Sequence, residues 1–267
     1  MNYIYKCCEQ PSYKVKFKYN RPPEGEIIFN IKNYKRVFKK CNNCSHYFNF
    51  HNYDLEKKYE KEYFLKTYKN LEKLEKIYKK IKKLPKNKSD NYHRVERILK
   101  FIKKKNIKII KIADLGSGIG IFPKKISEFY KVDCYEKGKI FINFIKKKLN
   151  LNCFDIKSYN LKAKKYNFIT INKIIEHIKK PKNFLVKLTK NLKKGTIIYL
   201  EVPDVLAEIN GAASEEFNIE HFHVFSPKSL SYLLKISNLR LLHMSRIKEK
   251  SGKYTIYCFA IKDLNAV

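Results

Sequence analysis

Three groups of residues carry types and spacings that could do chemistry. The first is the run ADLGSGIG at 113–120. It places Gly116, Gly118 and Gly120 within five residues of a chain that holds only 8 glycines in 267. Glycine is kept where no side chain fits, at a backbone bend or beside a close ligand. The run follows an apolar stretch and opens a helical one, so its amides can approach a nucleoside-like ligand at the edge of a sheet. A dinucleotide fingerprint would want glycine at 121, where Ile121 stands. Two acids follow at the ends of apolar runs: Glu136 in DCYEKG and Asp155 in CFDI. A carboxylate at a strand end about 20 residues past such a turn has the placement to accept both hydroxyls of a ribose.

The second group is histidine with acid. His177 follows Glu176 in KIIEHIKKP, and Glu220-His221 sits in EEFNIEHFHVFS, the one acidic stretch of the chain. Imidazole titrates near neutrality and can take a proton there, and an adjacent acid can orient it. His223, between Phe222 and Val224, reads as scaffold. The third group is cysteine. Cys134, Cys153 and Cys258 stand singly in apolar runs and read as small buried hydrophobes, whereas Cys7, Cys8, Cys41 and Cys44 lie close to the start. Cys41-x-x-Cys44 is half of a zinc ribbon; the other half is irregular, because Cys7 and Cys8 are adjacent, so both must ligate together or one is idle. His46 or His51 is available as a substitute ligand, and a ribbon that keeps its shape without metal is the alternative.

The elements needed to position these groups are visible in the periodicity. Residues 1–52 alternate apolar and Lys in YKVKFKY, EIIFNI and YKRVFKKCNNC around the turn RPPEGE, which predicts short strands. From Asp54 the spacing turns helical through LEKKYEKEYFLKTYKNLEKLEKIYKKIKKL up to Pro85, and a second helix is expected over 91–106. Together residues 53–106 form a helical connector. From 107 to 267 strands and helices alternate, as in a doubly wound α/β domain. Seven strands are expected, at 109–114, 131–136, 151–154, 166–172, 196–201, 239–247 and 254–261, the last two forming an antiparallel hairpin. Helices are expected at 121–129, 140–149, 182–191 and 226–237.

Taken in order, these motifs resemble those of the class I S-adenosylmethionine (SAM) dependent methyltransferases. The resemblance implies a mostly parallel seven-stranded sheet and SAM as cofactor. Asp114 with Gly116, Ser117, Gly118 and Gly120 would be the first motif, the acid anchoring the SAM amino group indirectly. Glu136 would hold the ribose and Asp155 the adenine amino group, with Ile156 against the ring. Asn172, which ends the fourth strand before the E-H-x-x-x-P motif, would also contact the cofactor. The stretch from Glu220 resembles the E-H-x-x-x-F-S of methyltransferases acting on sugars. In those, the histidine is the proposed base and the acid orients it. His221, Glu220 and His177 are accordingly the expected catalytic residues, although Asn218 stands where sugar C-methyltransferases often have Tyr. Cysteine ribbons ahead of this core occur in proteins of surface-polysaccharide and sugar-nucleotide biosynthesis, which implies a carbohydrate acceptor.

Composition bears on the rivals. Lys and Arg number 59 against 25 Asp and Glu, a net charge of +34, which invites nucleic acid as a partner. Yet 53 of the 59 are Lys, spread along the chain beside abundant Ile, Asn and Tyr, as a genome rich in A and T would dictate at exposed positions. Readers of nucleic acid favour Arg for its bidentate geometry. An RNA or protein methyltransferase gripping its substrate through the basic surface is one alternative, and a non-catalytic SAM-fold binding module is another. No apolar run is long enough to span a bilayer and MNYIYKCCEQ has no signal-peptide core, so a cytoplasmic protein is expected.

Overall fold

A computed structural model describes residues 6–27, 29, 31–55, 64–158 and 166–263. Eleven strands among them form two sheets. The larger contains β4 (Ile112–Leu115), β5 (Val132–Glu136), β6 (Asn152–Asp155), β7 (Phe168–Asn172), β8 (Ile197–Pro203), β10 (Leu239–Lys248) and β11 (Tyr254–Lys262). Its order is β10-β11-β8-β7-β4-β5-β6. All neighbours from β8 to β6 run parallel, and β11 is antiparallel to both β8 and β10. This is the expected seven-stranded, mostly parallel sheet with a C-terminal hairpin. The order reverses direction at β4, so the cleft beyond the carboxyl ends of β4 and β7 is the place for a ligand.

The strands at the centre are apolar without alternation, as sheets covered on both faces must be. β8 is buried along its whole length. One face packs under α6 (Pro181–Lys190) and α7 (Pro227–Lys235), through Leu185, Leu188, Leu230 and Leu233. The other packs under α3 (Asp90–Lys104) and α4 (Ile121–Ile126), through Val95, Ile98, Phe122 and Ile126. Helix α3 is also fastened electrostatically. Arg94 Nε donates to Glu201 Oε2 at 2.8 Å and Arg97 Nη2 to Glu201 Oε1 at 2.6 Å, with Glu201 wholly buried in β8. The connector helix thus shares the core of the sheet it precedes. Beside it, α5 (Lys139–Leu149) packs with α2 (Leu71–Lys82) around Leu74, Tyr78, Phe144 and Ile145.

The smaller sheet, β1-β2-β3-β9, is antiparallel. It joins β1 (Tyr13–Tyr19), β2 (Arg36–Cys41) and β3 (Tyr47–Phe50) of the N-terminal module to β9 (His223–Val224). The fourth strand comes from the segment that carries His221.

Two expectations fail locally. EIIFNI is not a strand in its described residues: Glu26 turns inward, where its carboxylate takes Arg36 Nη2 at 2.7 Å, the Tyr34 hydroxyl and the Ile219 amide at 2.7 Å. The long helix after Asp54 is interrupted too; α1 (Phe64–Tyr68) stops before Lys69, whose φ of +57° lies in the left-handed region. Asn70 then caps α2 by accepting from the Lys73 amide at 2.8 Å. The part of that expectation at 56–63 lies outside the described residues. No described helix is long and apolar enough to cross a membrane.

Candidate active site

The glycine loop leaves β4 and turns into α4 with φ of +73°, +55° and +79° at Gly116, Gly118 and Gly120, a region that L side chains enter at a cost. The three differ in what surrounds them. A Cβ on Gly116 would meet Ile174 Cδ1 at 2.1 Å, and one on Gly120 would meet Leu149 Cδ1 at 2.4 Å. Above Gly118 the space is open, and the Gly118 amide donates to Glu136 Oε2 at 2.5 Å. Gly118 therefore faces a ligand volume while its neighbours serve packing.

That volume is a cleft of about 390 Å³. Gly116, Gly118 and Glu136 form one wall, Asn172, Lys173 and His177 the floor, and Glu220 and His221 the opposite side; Phe64, Tyr68 and Phe141 supply an aromatic rim. Burial pushes the Glu136 carboxyl up to about 7, against the pull of the Gly118 and Lys137 amides. Asp114 lies beneath the loop, accepting from Thr170 Oγ1 at 2.6 Å and Asn172 Nδ2 at 3.3 Å. Burial raises it to about 6. Its route to the cleft runs through Asn172, which suits an indirect role. Ser117 Oγ donates to the Asp114 carbonyl and braces the turn. Asp155 pairs in register with Glu136, but it is exposed, and neither it nor Ile156 lines the cleft.

The two histidines are brought together, with ring centroids 4.7 Å apart and planes at 66°. His177 Nδ1 donates to the Glu220 carbonyl at 3.1 Å, and His221 Nδ1 to the Glu216 carbonyl at 3.0 Å. Carbonyls only accept, so each Nδ1 carries the hydrogen and each Nε2 a lone pair. Burial pushes His177 down to about 4 and His221 well below its usual range. The expected acid–histidine pair takes a different form here: His221 is oriented by the main chain at Glu216, and the Glu220 carboxyl is pushed up to about 7 by burial, with Oε2 unpartnered. Glu176, whose neighbour His177 drew attention in the sequence, also lines the cleft and is wholly buried.

The acidic stretch is less free than its composition suggests. Glu208 is held by Lys16 at 2.5 Å and Lys40 at 2.6 Å. Glu216 accepts from Ser214 Oγ and the Tyr254 amide. What faces the cleft is chiefly Glu215 and Glu220. The N-terminal module fixes this segment: Asn49 Nδ2 donates to the Ile219 and His221 carbonyls, both at 3.1 Å. Neither residue was legible as a pair in the sequence.

Cys7, Cys8, Cys41 and Cys44 converge, all buried, with their sulfurs within 4.8 Å of one another. Cys8 and Cys41 sulfurs are 3.9 Å apart and those of Cys7 and Cys44 3.3 Å. A tetrahedral zinc with bonds of about 2.3 Å spaces its sulfurs by roughly 3.8 Å, so the donor set and its spacing fit such an ion. Adjacent Cys7 and Cys8 both turn inward, and no substitute is needed. His46 is instead engaged with Ser229 Oγ at 3.0 Å and His223 Nδ1 at 3.2 Å, while His223 Nε2 donates to the Ile178 carbonyl at 3.0 Å. His51 lines a separate, larger groove of about 880 Å³ between the module and Lys179.

A family model described as a methyltransferase domain matches residues 84–244. Among solved structures, a SAM-dependent methyltransferase from Aquifex aeolicus is 20% identical, with 71% of this chain and 98% of that one covered at a TM-score of 0.52. Magnesium protoporphyrin IX methyltransferase from Synechocystis PCC 6803, solved with bound SAH, is 10% identical, with 75% and 99% covered at 0.55. A SAM-dependent methyltransferase from Clostridium acetobutylicum is 13% identical, with 72% and 99% covered at 0.53. At those identities the likeness concerns the fold. No curated protein matches the sequence. The family match spans more than half of the chain and includes the glycine loop, Glu136 and the histidine-bearing floor, and on that ground the chain belongs to the methyltransferase-domain family and is a class I SAM-dependent methyltransferase.

Proposed function

We propose that the enzyme transfers the SAM methyl group to a small polar acceptor, a sugar or nucleotide-linked sugar, at oxygen or carbon. SAM would lie over Gly118 with its ribose on Glu136, and Asp155 and Ile156 would approach the adenine from the end of β6. The observation that carries the reading is the cleft itself. It joins a glycine with open space above it and a strand-end carboxylate to two imidazoles whose Nδ1 atoms are tied back, leaving Nε2 as proton acceptor. Departure of the sulfide needs no acid, so transfer depends on in-line approach and on removal of the acceptor's proton by His221, with His177 beside it.

Single-turnover transfer from SAM to a panel of nucleotide-linked sugars tests this. His221→Ala should lose most of the rate while SAM affinity holds. An unchanged rate would remove His221 from the chemistry. A Michaelis constant falling steeply as salt is lowered would instead favour an RNA acceptor gripped by the Lys-rich surface, since phosphate contacts release counterions. Weak salt dependence is expected, because Glu215 and Glu220 face the cleft.

The same reading assigns zinc to the four cysteines as a structural ion. One zinc per chain by elemental analysis is the expected result; none in freshly purified protein would make the ribbon metal-free.

A further inference from the structure

Glu176 has no part in the transfer proposed above, yet it lies in the same cleft. It is wholly buried, and neither carboxylate oxygen has a hydrogen-bond partner. Lys173 acts on it electrostatically but spends its ammonium on Thr255 Oγ1 at 2.6 Å. Burial pushes its carboxyl up to about 8, so at neutral pH the group is mostly protonated, and a cation that displaced this proton would give both oxygens a partner.

Two imidazoles lie beside it. His177 and His221 have the same tautomer, each Nδ1 held from behind by a backbone carbonyl. Metal-ligating histidines are oriented in this way, because the second ring nitrogen's bond fixes both tautomer and ring direction. Ligand atoms of Glu176, His177 and His221 lie within 4.8 Å of one another. The cleft is lined by five carboxyl groups and three lysines, a concentration of acids in a protein of net charge +34.

We propose that Glu176, His177 and His221 bind one divalent first-row transition cation. Two imidazoles and one carboxylate leave coordination positions open, here toward the cleft. Two imidazoles and a carboxylate suit Zn²⁺, Fe²⁺ or Mn²⁺, and Mn²⁺ serves as the paramagnetic probe. The inference rests on the reading of this cleft as the acceptor site: hydroxyl oxygens of the acceptor would fill the open positions. In the cation-bound enzyme the His221 lone pair would hold the ion in place of acting as base, and the lowered pKa of the cation-bound hydroxyl would let its proton pass to solvent.

The test is titration of full-length protein, its ribbon zinc-loaded, with Mn²⁺, followed by calorimetry and electron paramagnetic resonance. Wild type should take up one Mn²⁺ per chain, and Glu176→Gln and His221→Gln should each weaken uptake at least tenfold. His243→Ala, on an exposed strand position, should leave uptake unchanged. Equal uptake by wild type and Glu176→Gln, or none by wild type, overturns the cation site. SAM affinity measured on the same samples separates the two readings. Intact SAM binding and transfer without Mn²⁺ uptake removes the cation alone, and loss of SAM binding by the wild type removes the underlying reading.

Discussion

The side-chain amide of Asn49, in the third strand of the N-terminal module, donates to the backbone carbonyl of His221 at 3.1 Å. The next residues along, Phe48 and His223, pair across the β3–β9 ladder. The module and the histidine-bearing segment are therefore one structure, and the position of the His221 ring depends on residues 170 or so places earlier in the chain. Asn49→Leu keeps the volume but strands the carbonyls of Ile219 and His221. Each buried acceptor left unpaired costs about 1–3 kcal/mol. The expected outcome is a drop of that size in denaturant stability together with a lower kcat, at unchanged SAM affinity. Equal loss of kcat and SAM affinity would argue against a local effect on the acceptor side.

Removing metal from the ribbon should act along the same path. The four cysteines pack with Phe48, which lies in β3. A chelator or Cys41→Ser should lower the melting temperature and reduce transfer, while SAM binding on the far side of the cleft persists. Calorimetry with SAM before and after chelation reads the difference.

SAM affinity should depend on pH through Glu136. With the unliganded carboxyl raised to about 7, part of the protein is protonated at neutrality. Only the carboxylate can accept from both ribose hydroxyls, so binding releases a proton. Affinity should rise between pH 6 and 8 and level off above, with a limiting slope of about tenfold per pH unit below 7. Glu136→Gln should flatten the profile and weaken binding at pH 8 by about tenfold or more, as expected for hydrogen bonds to a charged group.

Gly116 and Gly118 should separate folding from binding. Gly116→Ala places a methyl 2.1 Å from Ile174 Cδ1 at a φ of +73°, so loss of stability is expected. Gly118→Ala meets no atom within 4 Å. It should fold with only the strain of its φ, about 1–2 kcal/mol, yet weaken SAM binding, because the proposed SAM position lies over Gly118. Thermal denaturation of both variants, followed by SAM titration of whichever folds, checks the order.

Much of this cleft was legible because the sequence resists glycine, and three glycines in a row of five must be there for shape. Glu136 was legible from its distance to that turn. The seven strands followed from runs of apolar residues, which are forced on strands covered from both sides. What could not be read were contacts made by the main chain. The orienter of His221 is the carbonyl of Glu216, and any residue type carries a carbonyl, so attention fell on the neighbouring Glu220 side chain. EIIFNI alternates like a strand, but Glu26 is spent on Arg36, Tyr34 and the Ile219 amide, partners that only the folded chain supplies. His46 looked like a ligand by its nearness to Cys44, whereas its ring is bound to Ser229 and His223.

The pairing of Arg94 and Arg97 with Glu201 predicts how the enzyme meets acid. Glu201 is wholly buried, and the attraction of the two guanidinium groups outweighs the desolvation that opposes its charge, so its carboxyl sits below the usual range. An acid with a depressed folded-state pKa contributes stability that is complete above its unfolded value, near 4.3, and is lost as pH falls through the folded one. Denaturant stability should therefore fall below about pH 4. Arg94→Met leaves the carboxylate half-paired in the core, a change that typically costs about 3–5 kcal/mol at neutral pH. The double variant Arg94→Met with Glu201→Gln removes most of the uncompensated charge and should recover part of that loss, with a shallower acid limb. Recovery is the telling outcome: if the double variant is no more stable than Arg94→Met alone, the pair does not hold α3 to the sheet, and the apolar contacts of Val95 and Ile98 carry the docking.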